Sequence, residues 1–399
     1  MRSPVVAYSG APSDIGRCHG EVAAPAVRHN LAGFRALALA RGFDPADLSR
    51  AAVAREGLVS PRLLEEIEGI ARGAQRPYPE VLAYNLYHNI LLPDECTVMI
   101  AMGDTTASGE VVFFKNSDKV GGTELTGPNF HRFKEINVIL AAAPRGGNKF
   151  VGPAAAGSVG LKMGLNDKGV ATGSNISRTS ELARKQVDLT TVRALDRGIL
   201  MRDGLEHDTA MAAAQAIGNQ VLQDPMSTPG NVEFVDSKEA LIIEGSYDRM
   251  ATERVTSGVC ARTNMFVLLK ELNDWTDVSS QCRYVRCLEL LGTHKGTHSP
   301  EQMISFSMDH TNGPNLNSIC RHGTRPEEEV SLSSMVAEIN SKDPGRSRFA
   351  IALGKPCHAW REPRGHLWLD MSFNPEGLPR QFVDGEIWKE LYIEDPRDA

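Results

Sequence analysis

In this 399-residue chain the spacing of apolar residues changes character at one place, between Pro93 and Cys96, and that change restricts the fold more than any other feature. Residues 20–91 carry apolar side chains at helical spacing. Glu21 to Arg41 has alanine and leucine three and four apart. Ser60-Pro61 offers a cap followed by a first-turn proline, and Leu63, Leu64, Ile67 and Ile70 then form one apolar stripe. Pro79 opens a further short helix through Tyr84 and Leu86. From Cys96 onward the pattern is that of strands. Thr97–Met102 and Glu110–Phe114 flank the turn-rich Asp104–Gly109, which predicts a hairpin with Cys96 at the start of its first strand.

Further strands are expected at Glu135–Ala141, Val159–Leu165, Gly169–Gly173, Asn231–Val235, Ala240–Glu244, Phe349–Leu353 and His366–Asp370. Helices are expected within Leu189–Ile217, over Ser279–Leu291, from Ser299, and over Ser333–Ile339. A helical lead followed by strands, helices and strands predicts layers of helices and antiparallel sheets. The length is compatible with one such unit, and the helical lead reads equally as a separate small domain.

Composition narrows the function class. With 41% hydrophobic and 23% charged residues the chain is that of a soluble globular protein. A formal charge of −7 provides no basic face for a phosphate backbone, so nucleic acid is not an expected partner. No apolar run approaches the roughly 20 residues that span a bilayer, so no membrane association is expected. The first residues lack the apolar core of a signal peptide, which makes the cytoplasm the expected compartment.

Seven cysteines lie at irregular spacing, with no C-x-x-C pair. His294 and His298 have helical spacing but flank a loop-like Lys295-Gly296-Thr297. Neither a metal site nor a cofactor is therefore expected.

The candidate chemistry lies in Asp94-Glu95-Cys96-Thr97 and Phe114-Lys115-Asn116-Ser117-Asp118. A thiol at a strand start, just after a polar loop, is rigidly aimed and can be open to solvent. The predicted hairpin brings the loop after its second strand back beside that thiol, with Asn116 and Asp118 on it. A carboxylate there can hold an ammonium group, and an amide can donate to a developing oxyanion. The same residues also make an ordinary capped turn beside a buried strand cysteine, and spacing does not separate the two readings.

Taken in order along the chain, several segments resemble one family. Cys96 to Asp118 resembles the nucleophile hairpin of the peptidase C45 family, which includes the acyl-coenzyme A:6-aminopenicillanate acyltransferases. Asp14-Ile15-Gly16-Arg17-Cys18-His19-Gly20-Glu21 resembles its glycine-flanked N-terminal motif. Gly164-Leu165-Asn166-Asp167-Lys168-Gly169-Val170, Arg262-Thr263-Asn264-Met265-Phe266 and Ser318-Ile319-Cys320-Arg321-His322 resemble three further segments. The chain departs from the family at Met265, where histidine is common, and at Lys115-Asn116-Ser117-Asp118. That last string is similar to the secernin-like dipeptidases of the C69 family.

The resemblance implies an α+β, four-layer αββα N-terminal-nucleophile (Ntn) hydrolase sandwich of two antiparallel sheets. It implies a precursor that cuts itself between Glu95 and Cys96. Residues 1–95 would become a helical α chain and residues 96–399 the catalytic β chain, and the two would stay together as a heterodimer. Higher homo-oligomers are left open. Freed Cys96 would then supply both the thiol nucleophile and, through its own α-amine, the base. Asp118 would orient that amine, Asn264 would donate to the oxyanion, Arg321 would anchor a carboxylate on the substrate or within the site, and Asn116 would support substrate binding. The implied activity is cleavage of a linear, non-peptide amide of a small N-acyl compound through a thioester on Cys96, the acyl group passing to water or to another amine. The alternatives are a dipeptidase of the secernin kind and an uncleaved relative that binds without catalysis.

Overall fold

The computed structural model describes residues 5–378 except 93, 121–122, 125–131, 134, 186–188, 191–192, 276, 324–327 and 363–364. The helical lead is preceded by a strand that its apolar pattern does not announce, β1 (Val5–Gly10). Five helices follow: α1 (Pro12–Val22), α2 (Ala24–Ala40), α3 (Pro45–Val53), α4 (Pro61–Ala74) and α5 (Tyr78–Leu91). Each has a proline in its first turn, where the missing N–H is of no consequence and φ is already helical. Ser60 precedes α4 as expected, but its hydroxyl is hydrogen-bonded to Asp203 at 2.6 Å rather than capping the helix.

The hairpin predicted after Pro93 is present, with longer strands: β2 (Glu95–Met102) and β3 (Val111–Val120). Then come the short β4 (Thr123–Glu124) and β5 (Arg132–Phe133), followed by β6 (Asn137–Pro144), β7 (Phe150–Ala155), β8 (Met163–Asn166) and β9 (Ala171–Ile176). Helices α6 (Ser180–Lys185), α7 (Arg197–Gly204) and α8 (Ala210–Gln223) lead to β10 (Gly230–Val235), β11 (Ala240–Gly245), β12 (Met250–Val255) and β13 (Gly258–Arg262). Of the helical stretch expected from Leu189, residues 191–192 lie outside the described residues. The chain continues with α9 (Val278–Thr293), α10 (Pro300–Ser307), β14 (Glu329–Ile339), β15 (Arg348–Leu353), α11 (Pro356–Ala359) and β16 (His366–Asp370).

The helix expected over Ser333–Ile339 is not formed. Those residues belong to β14, which lies between β3 and β15. A central strand covered on both faces loses the apolar–polar alternation that announces a strand, so local pattern favours the wrong element.

Two sheets result. One has the order β1-β6-β7-β8-β9-β10-β11-β12, the other β13-β2-β3-β14-β15-β16. All pairings are antiparallel except β1 with β6, which is parallel. Alternate residues of a strand face opposite layers. Val6, Val138, Leu140 and Ala142 pack under α1–α5, whereas Val5, Ile139 and Ala141 join the core between the sheets. Val232, Phe234, Leu241 and Ile243 pack under α7 and α8. On the far side, Cys287, Leu290 and Leu291 of α9 and Met303 and Phe306 of α10 cover the second sheet. The chain is therefore an α+β, four-layer αββα sandwich, the architecture implied by the Ntn-hydrolase resemblance. Among the described residues no helix is long and apolar enough to cross a membrane.

The N-terminal motif has a packing role. Gly16 and Gly20 of α1 face Gly69 and Gly73 of α4 at backbone contact. A Cβ on Gly16 would lie 1.9 Å from the Glu66 carbonyl oxygen, and one on Gly69 would lie 2.2 Å from that of Ser13. His19 on the same helix is fully buried and accepts a hydrogen bond at Nε2 from the Gly157 amide at 3.0 Å. The helical lead is thus seated on the first sheet through both apolar and polar contacts.

Candidate functional site

Strand register decides what surrounds Cys96. Cys96 pairs with Ser117, Glu95 with Asp118, Thr97 with Asn116 and Val98 with Lys115. Directly opposed residues share a face and neighbours alternate. Cys96, Ser117 and Lys115 therefore point between the sheets. Glu95, Thr97, Asn116 and Asp118 point to the layer of α9 and α10. Asn116 and Asp118 lie within β3, not on the loop after it as expected, because β3 runs on to Val120.

The thiol is covered. Cys96 is 1% exposed, so of the two positions open to a strand-start cysteine, solvent-accessible or buried, it takes the buried one. β13 lies outside β2 in the sheet, so β2 is not an edge strand. Burial pushes the Cys96 thiol up, while Lys115, and less strongly Arg197 and Lys162, pull it down. The Lys115 ammonium is itself buried and donates to the carbonyls of Lys162 at 2.5 Å and Ser174 at 2.6 Å. Burial lowers its pKa. Glu233 on β10 joins this buried charge set, and burial raises its carboxyl to about 7 in spite of Lys115 and Arg262.

The backbone of Cys96 is held on both sides. Its N–H donates to Asn264 Oδ1 at 3.3 Å, just beyond the end of β13. Its carbonyl accepts from Arg283 Nη1 at 2.9 Å. Arg283 also donates to Thr97 Oγ1 at 2.9 Å and to Asn264 Oδ1 at 2.8 Å. Asn264 was expected to donate to an oxyanion. Here its amide nitrogen donates to the Ile176 carbonyl at 3.0 Å and its oxygen faces Cys96.

Beneath the peptide between Glu95 and Cys96 lies a buried ion cluster. The Glu95 carboxylate is bound by Arg321 and Arg178, with Arg283 at 3.9 Å. Glu329 pairs with Arg178 at 2.6 Å and with Arg321 at 3.2 Å. Burial pushes the Glu95 carboxyl up, but the three guanidiniums together hold it well below the usual carboxylate range. Arg321 was expected to anchor a carboxylate on the substrate or within the site, and in this chain it holds those of Glu95 and Glu329. Asp118 accepts from Ser331 Oγ at 2.6 Å through Oδ1. Among the described residues its other oxygen, Oδ2, has no hydrogen-bond partner, with Arg321 at 3.8 Å and Arg283 at 4.0 Å. Burial raises the Asp118 carboxyl against the pull of both arginines. Asn116, by contrast, donates to the carbonyls of Ser307 and Ile319, each at 3.0 Å. Its amide nitrogen ties β3 to α10 and to the segment before β14, and it does not face the thiol.

Cys96 and Asp118 on the β2–β3 hairpin are thus brought together with Asn264 after β13 and Arg321 before β14. Sequence reading missed Lys115, Arg283, Arg178 and Glu233. Arg283 left a signal: it occupies the buried face of α9 with Ser279, Ser280, Cys287, Leu290 and Leu291, where a charge is out of place unless paired. Lys115 follows from the register, two residues from the partner of Cys96 on the same face. His298, one of the helically spaced pair, is hydrogen-bonded to Gln302 and to the Leu291 carbonyl, as a structural histidine. No metal-ligand pattern is legible in the sequence, yet the fold brings the donor atoms of His310, Cys320, His322 and Cys357 within 4.8 Å of one another.

No family model matches the chain, and no curated protein matches it in sequence. Among solved structures, it is similar to the Caenorhabditis elegans ortholog of N-acylethanolamine-hydrolyzing acid amidase, with a TM-score of 0.40 and 13% identity over 63% of this chain and 93% of that one. It is also similar to a mutant of conjugated bile acid hydrolase from Clostridium perfringens, with a TM-score of 0.39 and 8% identity over 71% of this chain and 95% of that one.

Proposed function

We propose that the chain is the precursor of a cysteine amidohydrolase that cuts itself between Glu95 and Cys96 and then uses Cys96 as nucleophile. One observation carries the reading: Cys96 is the second residue of a central strand, with its N–H on Asn264, its carbonyl on Arg283, and in the same cluster the Oδ2 of buried Asp118, which among the described residues takes no hydrogen bond. Cys96 Sγ attacks the Glu95 carbonyl carbon, the Glu95–Cys96 C–N bond breaks, and the nitrogen takes up the thiol proton. Water then hydrolyses the thioester, leaving a Glu95 carboxylate and a free thiol. One water is consumed.

Cleavage turns the Cys96 nitrogen into an α-amine, whose ordinary pKa is about 7.7–8.0. A fraction is neutral near pH 7 and takes the thiol proton for attack on a substrate amide, then returns it to the leaving amine. Asp118 orients the charged form. The nearly complete burial of Cys96 in the uncleaved chain fits a zymogen.

The acyl half that Cys96 first meets is Glu95, held by Arg321 and Arg178. Acyl groups that place an anion where the Glu95 carboxylate lies, such as glutaryl amides, are accordingly the favoured substrates.

Intact-mass analysis of purified protein tests the self-cutting. Two chains, the heavier beginning at Cys96 and the pair together exceeding the precursor by one water, are expected. A full-length mass that persists on incubation, in active protein, sinks the reading. Amine release from glutaryl, neutral-acyl and dipeptide substrates then separates the amidase from the dipeptidase.

A further inference from the structure

The geometry points to a tetrahedral metal site of the zinc type formed by His310, Cys320, His322 and Cys357. It is separate from the proposed nucleophile and does not depend on it. The four residues come from three segments: His310 just after α10, Cys320 and His322 before β14, and Cys357 on α11. Cys320 and Cys357 are buried and the two histidines half-buried.

The three separations from His322 Nε2 are close to a tetrahedron's edges, and all four donor atoms lie within 4.8 Å of one another. His310 Nε2 and His322 Nε2 are 3.1 Å apart, Cys320 Sγ and His322 Nε2 3.6 Å, and Cys357 Sγ and His322 Nε2 3.4 Å. Zinc bonds of about 2.0–2.1 Å to nitrogen and about 2.3 Å to sulfur give tetrahedral edges of about 3.3 Å between nitrogens and about 3.5 Å between nitrogen and sulfur. Hydrogen bonding does not account for the cluster as well. An imidazole nitrogen has one in-plane direction, filled by one proton or one lone pair. His322 Nε2 has three heteroatoms around it, and a shared cation satisfies all of them at once.

Two thiolates and two imidazoles form a set suited to zinc rather than to magnesium or calcium, which take oxygen ligands. Four protein ligands leave no open position, so the site is structural. Its consequence is positional. Arg321 sits between the ligands Cys320 and His322 and binds Glu95. A metal there anchors the backbone on both sides of that arginine and ties it to α11.

The test is metal analysis of untagged protein purified in a reducing, chelator-free buffer. About one zinc per chain is expected, falling to under about a tenth in Cys320→Ser and Cys357→Ser and retained in Cys96→Ala. Should either serine variant fail to fold, cobalt titration of chelator-stripped wild type decides. A tetrahedral thiolate spectrum saturating near one equivalent, with two thiols protected from alkylation, supports the site. Protein that holds no zinc as purified or after zinc dialysis overturns it. So does a Cys320–Cys357 disulfide in metal-free protein, or loss of the metal in Cys96→Ala.

Discussion

Arg283 Nη1 donates to the backbone carbonyl of Cys96 at 2.9 Å, from a side chain with no solvent exposure. The same guanidinium reaches Thr97 and Asn264 and lies 4.0 Å from Asp118. It is the group that joins α9 to the start of β2 and fixes the Cys96–Thr97 peptide, the one that follows the proposed cut.

Arg283→Ala strands the Cys96 carbonyl without its side-chain donor and leaves the buried Glu95 and Asp118 carboxylates one cation short. Breaking a buried ion cluster in this way is expected to lower stability by about 3–5 kcal/mol, measured by urea unfolding. Arg283→Lys keeps the charge but not the planar fork, so it recovers part of the stability while cleavage before Cys96 stays slow. An alanine variant within about 1 kcal/mol of wild type contradicts the clamp.

Asp118→Asn tests whether the unpartnered oxygen has a chemical use. The amide keeps an acceptor for Ser331 Oγ and removes only a charge that burial already disfavours. The variant should melt within a few degrees of wild type, yet lose self-cleavage by at least about 100-fold. A variant that processes at the wild-type rate by mass spectrometry assigns Asp118 to structure alone.

Gly16→Ala and Gly69→Ala probe the seating of the helical lead. Each adds one methyl group at a backbone oxygen about 2 Å away, which forces α1 and α4 apart. Overpacking of this kind costs typically about 1–3 kcal/mol, and more where backbone meets backbone. Both variants should lower the thermal midpoint. Gly57→Ala, where a Cβ meets nothing within 4 Å, serves as the control.

Two buried groups make opposite contributions to the pH dependence of stability. Burial holds His19 at about 4, so between about 4 and about 6.5 the unfolded chain binds a proton that the native chain does not. Its contribution rises with pH, by about 3 kcal/mol across that window. Glu233, raised by burial to about 7, is protonated in the native state where the unfolded carboxyl is not, and its contribution falls as pH rises from about 4.5 to about 7. In wild type the two nearly cancel between pH 4.5 and 6.5. His19→Gln, which keeps an acceptor for the Gly157 amide, should expose a stability that falls with rising pH. Glu233→Gln should expose one that rises. Parallel urea titrations of the three proteins check both signs, and identical slopes refute them.

Much of the fold is legible without coordinates where the local signal and the tertiary outcome agree. Pro61 and Pro79 locate two helices of the lead, and the turn residues between Met102 and Glu110 locate the hairpin. β14 is the counter-example. Ser333–Ile339 carries helix-forming residues and no alternation, and only its place between β3 and β15 makes it a strand. Asp118 was likewise recognised as a site residue but placed on a loop, because sequence does not reveal where β3 stops pairing.

The sequence alone determined that a thiol stands where a helical lead meets a strand hairpin, because period and turn chemistry are local properties. It also determined which short motifs accompany that thiol. Tertiary structure decided which side chains face it. A strand register displaced by one residue would turn Lys115 away from Cys96 and Asp118 toward it. Arg283, Glu233 and, around His322, His310 and Cys357 reach their partners across gaps of many residues. Such contacts depend on how layers stack, and no local pattern encodes the stacking.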